Sequence, residues 1–319
     1  MTETRAFSHS GRMTLFHRAL ASGLVTRVGM AVAKHLSVSV GYAVADGLAE
    51  IINVIKPDVY WVVYDNLRQV IGPQVTERRL HSMVRRAFRN NARDIYELWH
   101  VVHHGSRAIR DAVRIPSEVW TRIQLAARSA KGLVLVGTHT GNFDLTLMSL
   151  AARGLEIQVL TLASAGEGFD LMDRLRAQGG LRIARAGFTS LRQAIEHLRH
   201  GGVVATAVDR PLDYSDEPVE FFGRPAPLVT GHVRLALATG AALLVGAAYR
   251  DQEACNTMCL SPTLSMLRTG DREDDLRLNV RRVTDWLEEF IHAHAEQWAM
   301  FVPVWGANTS VVPGRVGGV

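Results

Sequence analysis

From Leu15 to about Ala130 the apolar residues recur three and four apart, as at Leu80, Val84, Phe88 and Ala92, with no alternating pattern. That period predicts a set of helices. At Lys131 the texture changes to short apolar runs separated by helical segments. Leu133–Val136, Ile157–Leu160, Leu181–Ala184, Val203–Val208, Leu243–Ala248 and Met258–Leu260 read as strands. Leu145–Ala152, Leu171–Ala177, Leu191–His200 and His232–Ala238 read as the helices between them. Strands alternating with helices of this length imply βαβ units, hence an α/β fold with a mostly parallel central sheet flanked by helices. A last helix from about Asp274 to Glu296 is expected to lead into a final apolar strand near Trp298–Val304. The pattern divides the chain into a helical region 1–130, an α/β core 131–305 and a glycine-rich, frayed tail 306–319.

A membrane-crossing helix needs about 18 apolar residues in a row. The apolar region Ala19–Ile55 is interrupted by Arg27, Lys34, Asp46 and Glu50, so no spanning segment is expected there. Charge changes the picture of the first region: residues 1–130 hold 18 Lys+Arg against 10 Asp+Glu, while the remainder holds 18 against 21. The basic balance suggests an anionic partner, phospholipid headgroups or nucleic acid, with a solvated Arg-rich surface as the plain alternative. The stripe Arg85, Arg86, Arg89 and Arg93 reads as a solvated or lipid-facing helix face.

Two cysteines, Cys255 and Cys259, stand four apart on an extended stretch, roughly 13 Å, which no disulfide bridges. With no secretory pattern at Met1, a reducing, cytoplasmic compartment is expected. There is no G-x-S-x-G elbow, Walker A loop or paired C-x-x-C, which weighs against a serine hydrolase, a P-loop enzyme and a zinc protein. His100, His103 and His104 read as a helix end, not a metal cluster, and no cofactor or metal is expected.

The chemistry concentrates in KGLVLVGTHTGNFDLTLMSLAARG, residues 131–154, which reads as strand, tight turn and helix. His139 falls at the carboxyl end of a strand, where open α/β sheets place their active sites. Asn142 or Thr140 caps the following helix, and Asp144 falls in its first turn, where the helix dipole favours a carboxylate. A reversal of the chain between them would let Asp144 reach the imidazole and fix its tautomer, as a general base requires. The spacing alone decides nothing, since 13 His in this chain give about 0.65 chance His-x4-Asp pairs. Its position on the turn after the first strand is what gives it weight.

The block GTHTGNFDL resembles the His-x4-Asp block of the late acyltransferases of lipid A biosynthesis and of the phosphatidylinositol mannoside acyltransferases. The run Val203–Arg210 is similar to that family's buried strand ending in an acidic residue. Val219–Arg224 with Thr230-Gly231 and LALATGAALLVGAAYR resembles its later block, and Tyr64–Leu67 with Arg86–Phe88 its helical lead-in. The resemblance implies an acyltransferase on the cytoplasmic face of the cell's inner membrane, peripheral to it. It would move a fatty acyl group from acyl-CoA or acyl carrier protein to a glycolipid or phospholipid hydroxyl. Carried over, it makes His139 the general base, Asp144 its orienting partner and Asp209 the acidic residue at the far wall. Asn142, Arg185, Arg210, Phe222, Gly223 and Thr230 would contact substrate. The amides of Gly141–Phe143 are the nearest oxyanion donors, and Phe143, Leu147, Phe221 and Phe222 could line an acyl groove. The partners implied are an anionic membrane surface, a glycolipid acceptor and an acyl thioester, with no nucleic acid. The alternative is a non-catalytic protein that binds anionic lipid or nucleic acid through its basic helices.

Overall fold

Leu133 and Leu135 of the central strand point to one face of a sheet, and Val134 and Val136 point to the other, all of them buried. Such a strand, apolar on both sides, needs cover on both faces, and the fold supplies it. The computed structural model describes residues 22–128, 131–161, 166–212 and 218–306. Its seven-stranded sheet is built from β1 (Val113–Arg114), β2 (Leu133–Gly137), β3 (Ile157–Thr161), β4 (Arg182–Arg185), β5 (Val203–Ala207), β8 (Ala242–Arg250) and β9 (Asn256–Leu260), in the order β1-β9-β8-β2-β5-β3-β4. All neighbouring pairs are parallel except β8 with β9. A hairpin of β6 (Val219–Phe221) and β7 (Arg224–Ala226) stands apart.

The helical first region holds α1 (Gly23–Ala33), α2 (Val38–Ile55), α3 (Asp58–Ile71), α4 (Glu77–His103), α5 (Gly105–Asp111) and α6 (Ser117–Ala127). The core then adds α7 (Phe143–Ala151), α8 (Glu167–Gln178), α9 (Phe188–Arg199), α10 (Gly231–Thr239) and α11 (Arg272–Ala293). Leu145 and Met148 of α7 pack with Leu133 and Leu135 on one face. Val233 and Ala236 of α10, with Val283 of α11, pack with Val134 and Val136 on the other. β2 leaves through α7 and β5 through α10, on opposite faces, the topology in which open α/β sheets place their sites at the carboxyl ends of adjacent strands.

Every strand and helix expected in the core is present. The exception is Trp298–Val304, where a 3-10 turn (Ala295–Gln297) leads into an extended segment whose ladder contact is a single bridge from Trp298 to Thr140. The sequence reading missed β1, which adds a strand to the sheet from within the helical region, and the β6–β7 hairpin. Of the tail 306–319, all but Gly306 lies outside the described residues, as does Met1.

Helix α2 corrects the expectation about spanning segments, for by length and composition it could cross a membrane. Its small residues Gly41, Ala45 and Ala49 are buried, whereas Val40, Val44, Leu48, Ile51 and Ile55 lie exposed on the opposite side. Leu24, Val25, Val28 and Val32 extend the exposed apolar surface onto α1. The two acidic residues of α2 turn inward, Asp46 to Arg93 (2.6 Å) and Arg89 (3.8 Å), Glu50 to Arg85 (2.5 Å). Arg86 pairs with Glu296. The arginine stripe of α4, with Arg85 and Arg86 still exposed, is therefore engaged in ion pairs within the protein.

Candidate active site

Gly137 and Ala207 are register partners on the parallel strands β2 and β5, and His139 and Asp209 each lie two residues further on. Adjacent strands run about 4.8 Å apart, so the register brings two side chains 70 residues apart in sequence into contact. His139 Nδ1 lies 2.7 Å from Asp209 Oδ1. The other carboxylate oxygen, Oδ2, accepts from the Thr138 hydroxyl (2.6 Å), the His139 amide (2.8 Å) and the Trp298 indole N–H (2.8 Å). Asp209 is fully buried. Burial alone would raise its pKa, but the imidazole and these donors outweigh it and bring the carboxyl down to about 2. An ionised Asp209 requires the hydrogen on Nδ1, which leaves the Nε2 lone pair available. Nε2 has no hydrogen-bond partner among the described residues, and the His139 side chain is 21% exposed. Phe143 stands edge-on to the ring, centroids 4.9 Å apart.

The turn that carries His139 is held tightly. Gly141 has φ +53°, and a Cβ there would lie 2.7 Å from the Ala248 carbonyl oxygen, so a side chain is excluded. Asn142 caps α7, its Oδ1 accepting from the Leu145 amide at 3.3 Å. Its Nδ2 donates to the Asp94 carbonyl (3.0 Å) and to Glu97 (3.4 Å). Beneath it, Arg250 donates to both Asp94 (2.5 Å) and Glu97 (2.6 Å). With two carboxylates and one guanidinium, the charges divide: burial pushes Asp94 up to about 7, while Arg250 holds Glu97 below its usual range against its own burial.

Asp144 does not orient His139. Its carboxylate takes a two-point bond from Arg176 of α8, at 2.8 and 2.9 Å. Burial opposes the charge on Arg176, yet Asp144 and Asp173 raise its pKa above normal. In the first turn of α7 Phe143 meets the imidazole, while the neighbouring Asp144 side chain turns to Arg176 of α8. Asp209, expected at the far wall, stands against the imidazole, the position expected of Asp144.

The remaining expected site residues scatter. Arg185 ends β4, three strands from β2, and spends its charge on Asp170 and Asp173. Arg210 follows Asp209 directly and is half-buried at the strand end. Phe222 and Gly223, with φ +49° and +71°, form the two-residue turn of the β6–β7 hairpin. Phe222 packs edge-on to Trp305 there. Thr230 precedes the first turn of α10. Phe221 is fully buried, hence core and not groove, whereas Phe143 and Leu147 are half-buried. Among the expected oxyanion amides, Gly141 donates to the Gln297 carbonyl (3.0 Å) and Phe143 to Gly141 (3.1 Å), which leaves the amide of Asn142.

Arg176, Trp298 and Thr138 were missed. Thr138, beside the histidine, was within reach of a closer reading; Trp298 and Arg176 carry no local signal. Three histidines end α4 as expected, with His100 Nδ1 2.9 Å from the Ala33 carbonyl.

Comparison with known proteins adds to this geometry. A family model described as bacterial lipid A biosynthesis acyltransferase matches residues 14–306. The phosphatidylinositol mannoside acyltransferase of Mycobacterium tuberculosis, in two strains, is 27% identical over 197 residues. That alignment spans 59% of this chain and 59% of those relatives, somewhat under two thirds of their length. Among solved structures, the 1-acyl-sn-glycerophosphate acyltransferase of Thermotoga maritima is 16% identical with a TM-score of 0.35, over 77% of this chain and 98% of that one. So low a score bears on neither fold nor function.

Proposed function

The chain belongs to the bacterial lipid A biosynthesis acyltransferase family, and we propose that it transfers a fatty acyl group from a thioester donor, acyl-CoA or acyl carrier protein, to a hydroxyl of a glycolipid or phospholipid. The observation that carries this reading is the His139–Asp209 pair, a buried carboxylate with four donors behind a partly exposed imidazole whose outer nitrogen has no partner among the described residues. A lipid or sugar hydroxyl is a poor nucleophile at neutral pH and needs a positioned base. Nε2 of His139 takes the hydroxyl proton, the oxygen attacks the thioester carbonyl, and a C–O bond forms. As the tetrahedral intermediate collapses the C–S bond breaks, and the proton passes from Nε2 to the leaving sulfur. Asp209 keeps the hydrogen on Nδ1 and stabilises the imidazolium between these steps. Direct transfer fits Cys259, which lies on β9 with its thiol pushed up to about 12 by burial and so is a poor nucleophile.

The acceptor's acyl chains keep it in a bilayer, and the exposed apolar side of α1 and α2 supports docking there. Because Asp46 and Glu50 tie α2 to α4, the helix is read as lying at the headgroup boundary, not crossing the bilayer. Lys56 sits over the Tyr60 ring (5.3 Å) and the Trp61 ring (5.8 Å) at the end of α2, a grouping suited to that interface. The arginines paired within the protein argue against the nucleic-acid reading. Purified protein incubated with labelled acyl-CoA or acyl carrier protein and a bacterial lipid extract should yield a labelled lipid. Binding of lipid with no transfer from either donor would support the non-catalytic alternative.

A further inference from the structure

The carboxylate of Asp209 has one partner that does not come from the turn it orients. Thr138 and His139 approach Oδ2 from β2, whereas Trp298 approaches from a segment 89 residues away in sequence. That segment is laced to the turn by two further hydrogen bonds, which together make the bridge between Thr140 and Trp298. The Ala299 amide donates to the His139 carbonyl (2.7 Å), and the Gly141 amide donates to the Gln297 carbonyl (3.0 Å). The Gln297 side chain in turn closes a two-way pair with the backbone of Arg250 at the end of β8, at 2.6 and 2.9 Å. Trp298 is 1% exposed, its ring packed near Phe221 and Trp305.

We propose that residues 297–299 act as a clamp on the His139 turn, with Trp298 a positioning residue whose indole N–H fixes the carboxylate plane of Asp209 and so aims Nε2 of His139. This rests on the reading of His139 as the base. Oδ2 accepts three hydrogen bonds, two from the turn itself, and those two alone would let turn and carboxylate move together. The third ties the carboxylate to the outside of the turn, so that Oδ1 is presented to Nδ1 in one orientation. A group held by hydrogen bonds to a charged partner loses about tenfold or more when one is removed. Because Trp298 touches no reacting atom, that loss should fall on kcat and leave KM unchanged.

The test compares Trp298→Phe, His139→Ala and the double variant, all purified and checked for matching circular dichroism. Trp298→Phe should lower kcat about tenfold or more, with unchanged KM for the acyl donor. In the double variant it should add nothing to the loss from His139→Ala. The downfield imidazole N–H resonance, assigned by its disappearance in His139→Ala, should move in Trp298→Phe. Should Trp298→Phe fail to fold, benzothienylalanine at position 298 keeps the ring shape and replaces only the N–H, and the same changes are expected. A folded variant with wild-type kcat and an unmoved resonance overturns the clamp, as does a change confined to KM. If His139→Ala itself keeps wild-type turnover, the proposed base fails instead, and the two failures are distinct.

Discussion

Asp209 meets His139 because each lies two residues beyond a pair of register partners, Gly137 and Ala207, on adjacent parallel strands. The contact depends on sheet register and not on the local turn. Its consequence is that the two residues act as one unit. His139→Ala should cost about 100- to 10,000-fold in turnover, the usual contribution of a general base. Asp209→Asn should cost a comparable amount by losing the tautomer, and the double variant should be no slower than the worse single one. Steady-state rates on folded proteins decide this; multiplying losses would separate the two residues.

Asp144 has a different role, which stability measurements bring out. It neutralises the half-buried Arg176 guanidinium, which among the described residues pairs also with Asp173 (3.1 Å). Asp144→Ala should destabilise the protein by about 1.5–3 kcal/mol, the range for losing hydrogen bonds to a charged group, since Asp173 remains as a partner of Arg176. The pair replacement Asp144→Leu with Arg176→Met should recover much of this, because no charge is then left alone. Thermal unfolding measures both. A melting temperature as high in Asp144→Ala as in the parent would show that Arg176 finds another partner.

These outcomes mark where sequence and structure part. The strands and helices of the core were legible, since alternation and helical spacing record which faces are covered. His139 was legible from its place on a turn after an apolar strand. Its partner was not, because His-x4-Asp is a local spacing whereas Asp209 is reached through a strand register that no local pattern encodes. Trp298 fell in an apolar run that looks like a strand; without a partner ladder it became an extended tether. On α2 the small residues Gly41, Ala45 and Ala49, four apart, already mark the covered face. Reading charge totals for residues 1–130 hid the fact that Arg85 and Arg93 are paired with Glu50 and Asp46.

His232 makes the fold sensitive to acid. It is buried in α10, and burial pushes its pKa from the ordinary 6.5 down to about 4. A group whose folded pKa is depressed contributes stability above its unfolded value and loses it as pH falls toward the folded one. The window is therefore pH 6.5 down to about 4, and the loss is at most roughly 3 kcal/mol. Melting temperature followed across that window should fall less steeply in His232→Leu than in the parent. Parallel curves would remove His232 from the acid response.

The last prediction concerns how the protein meets a membrane. Basic residues in the first region suggested an electrostatic contact, but Arg85, Arg86, Arg89 and Arg93 are engaged with Glu50, Glu296 and Asp46. What remains outward on α1 and α2, apart from Arg27, which pairs with Glu167, and Ser39, is largely apolar, with Val44, Leu48 and Ile51 about half exposed. Fully burying such a side chain contributes about 1.5–3 kcal/mol, and partial insertion at the headgroup boundary contributes less. Apolar insertion does not depend on ionic strength, whereas contacts between exposed charges are screened over about 8 Å at physiological salt. Sedimentation with vesicles should therefore show binding to neutral as well as anionic lipid, largely retained at high salt. Replacing Val44, Leu48 and Ile51 together by Ser should weaken it about tenfold or more, with the circular dichroism unchanged because none of the three is buried. Neutralising Arg85 with Gln, which removes an internal ion pair, should leave vesicle binding close to that of the parent. Binding that disappears with salt, or that survives the triple replacement, would place the contact on another surface.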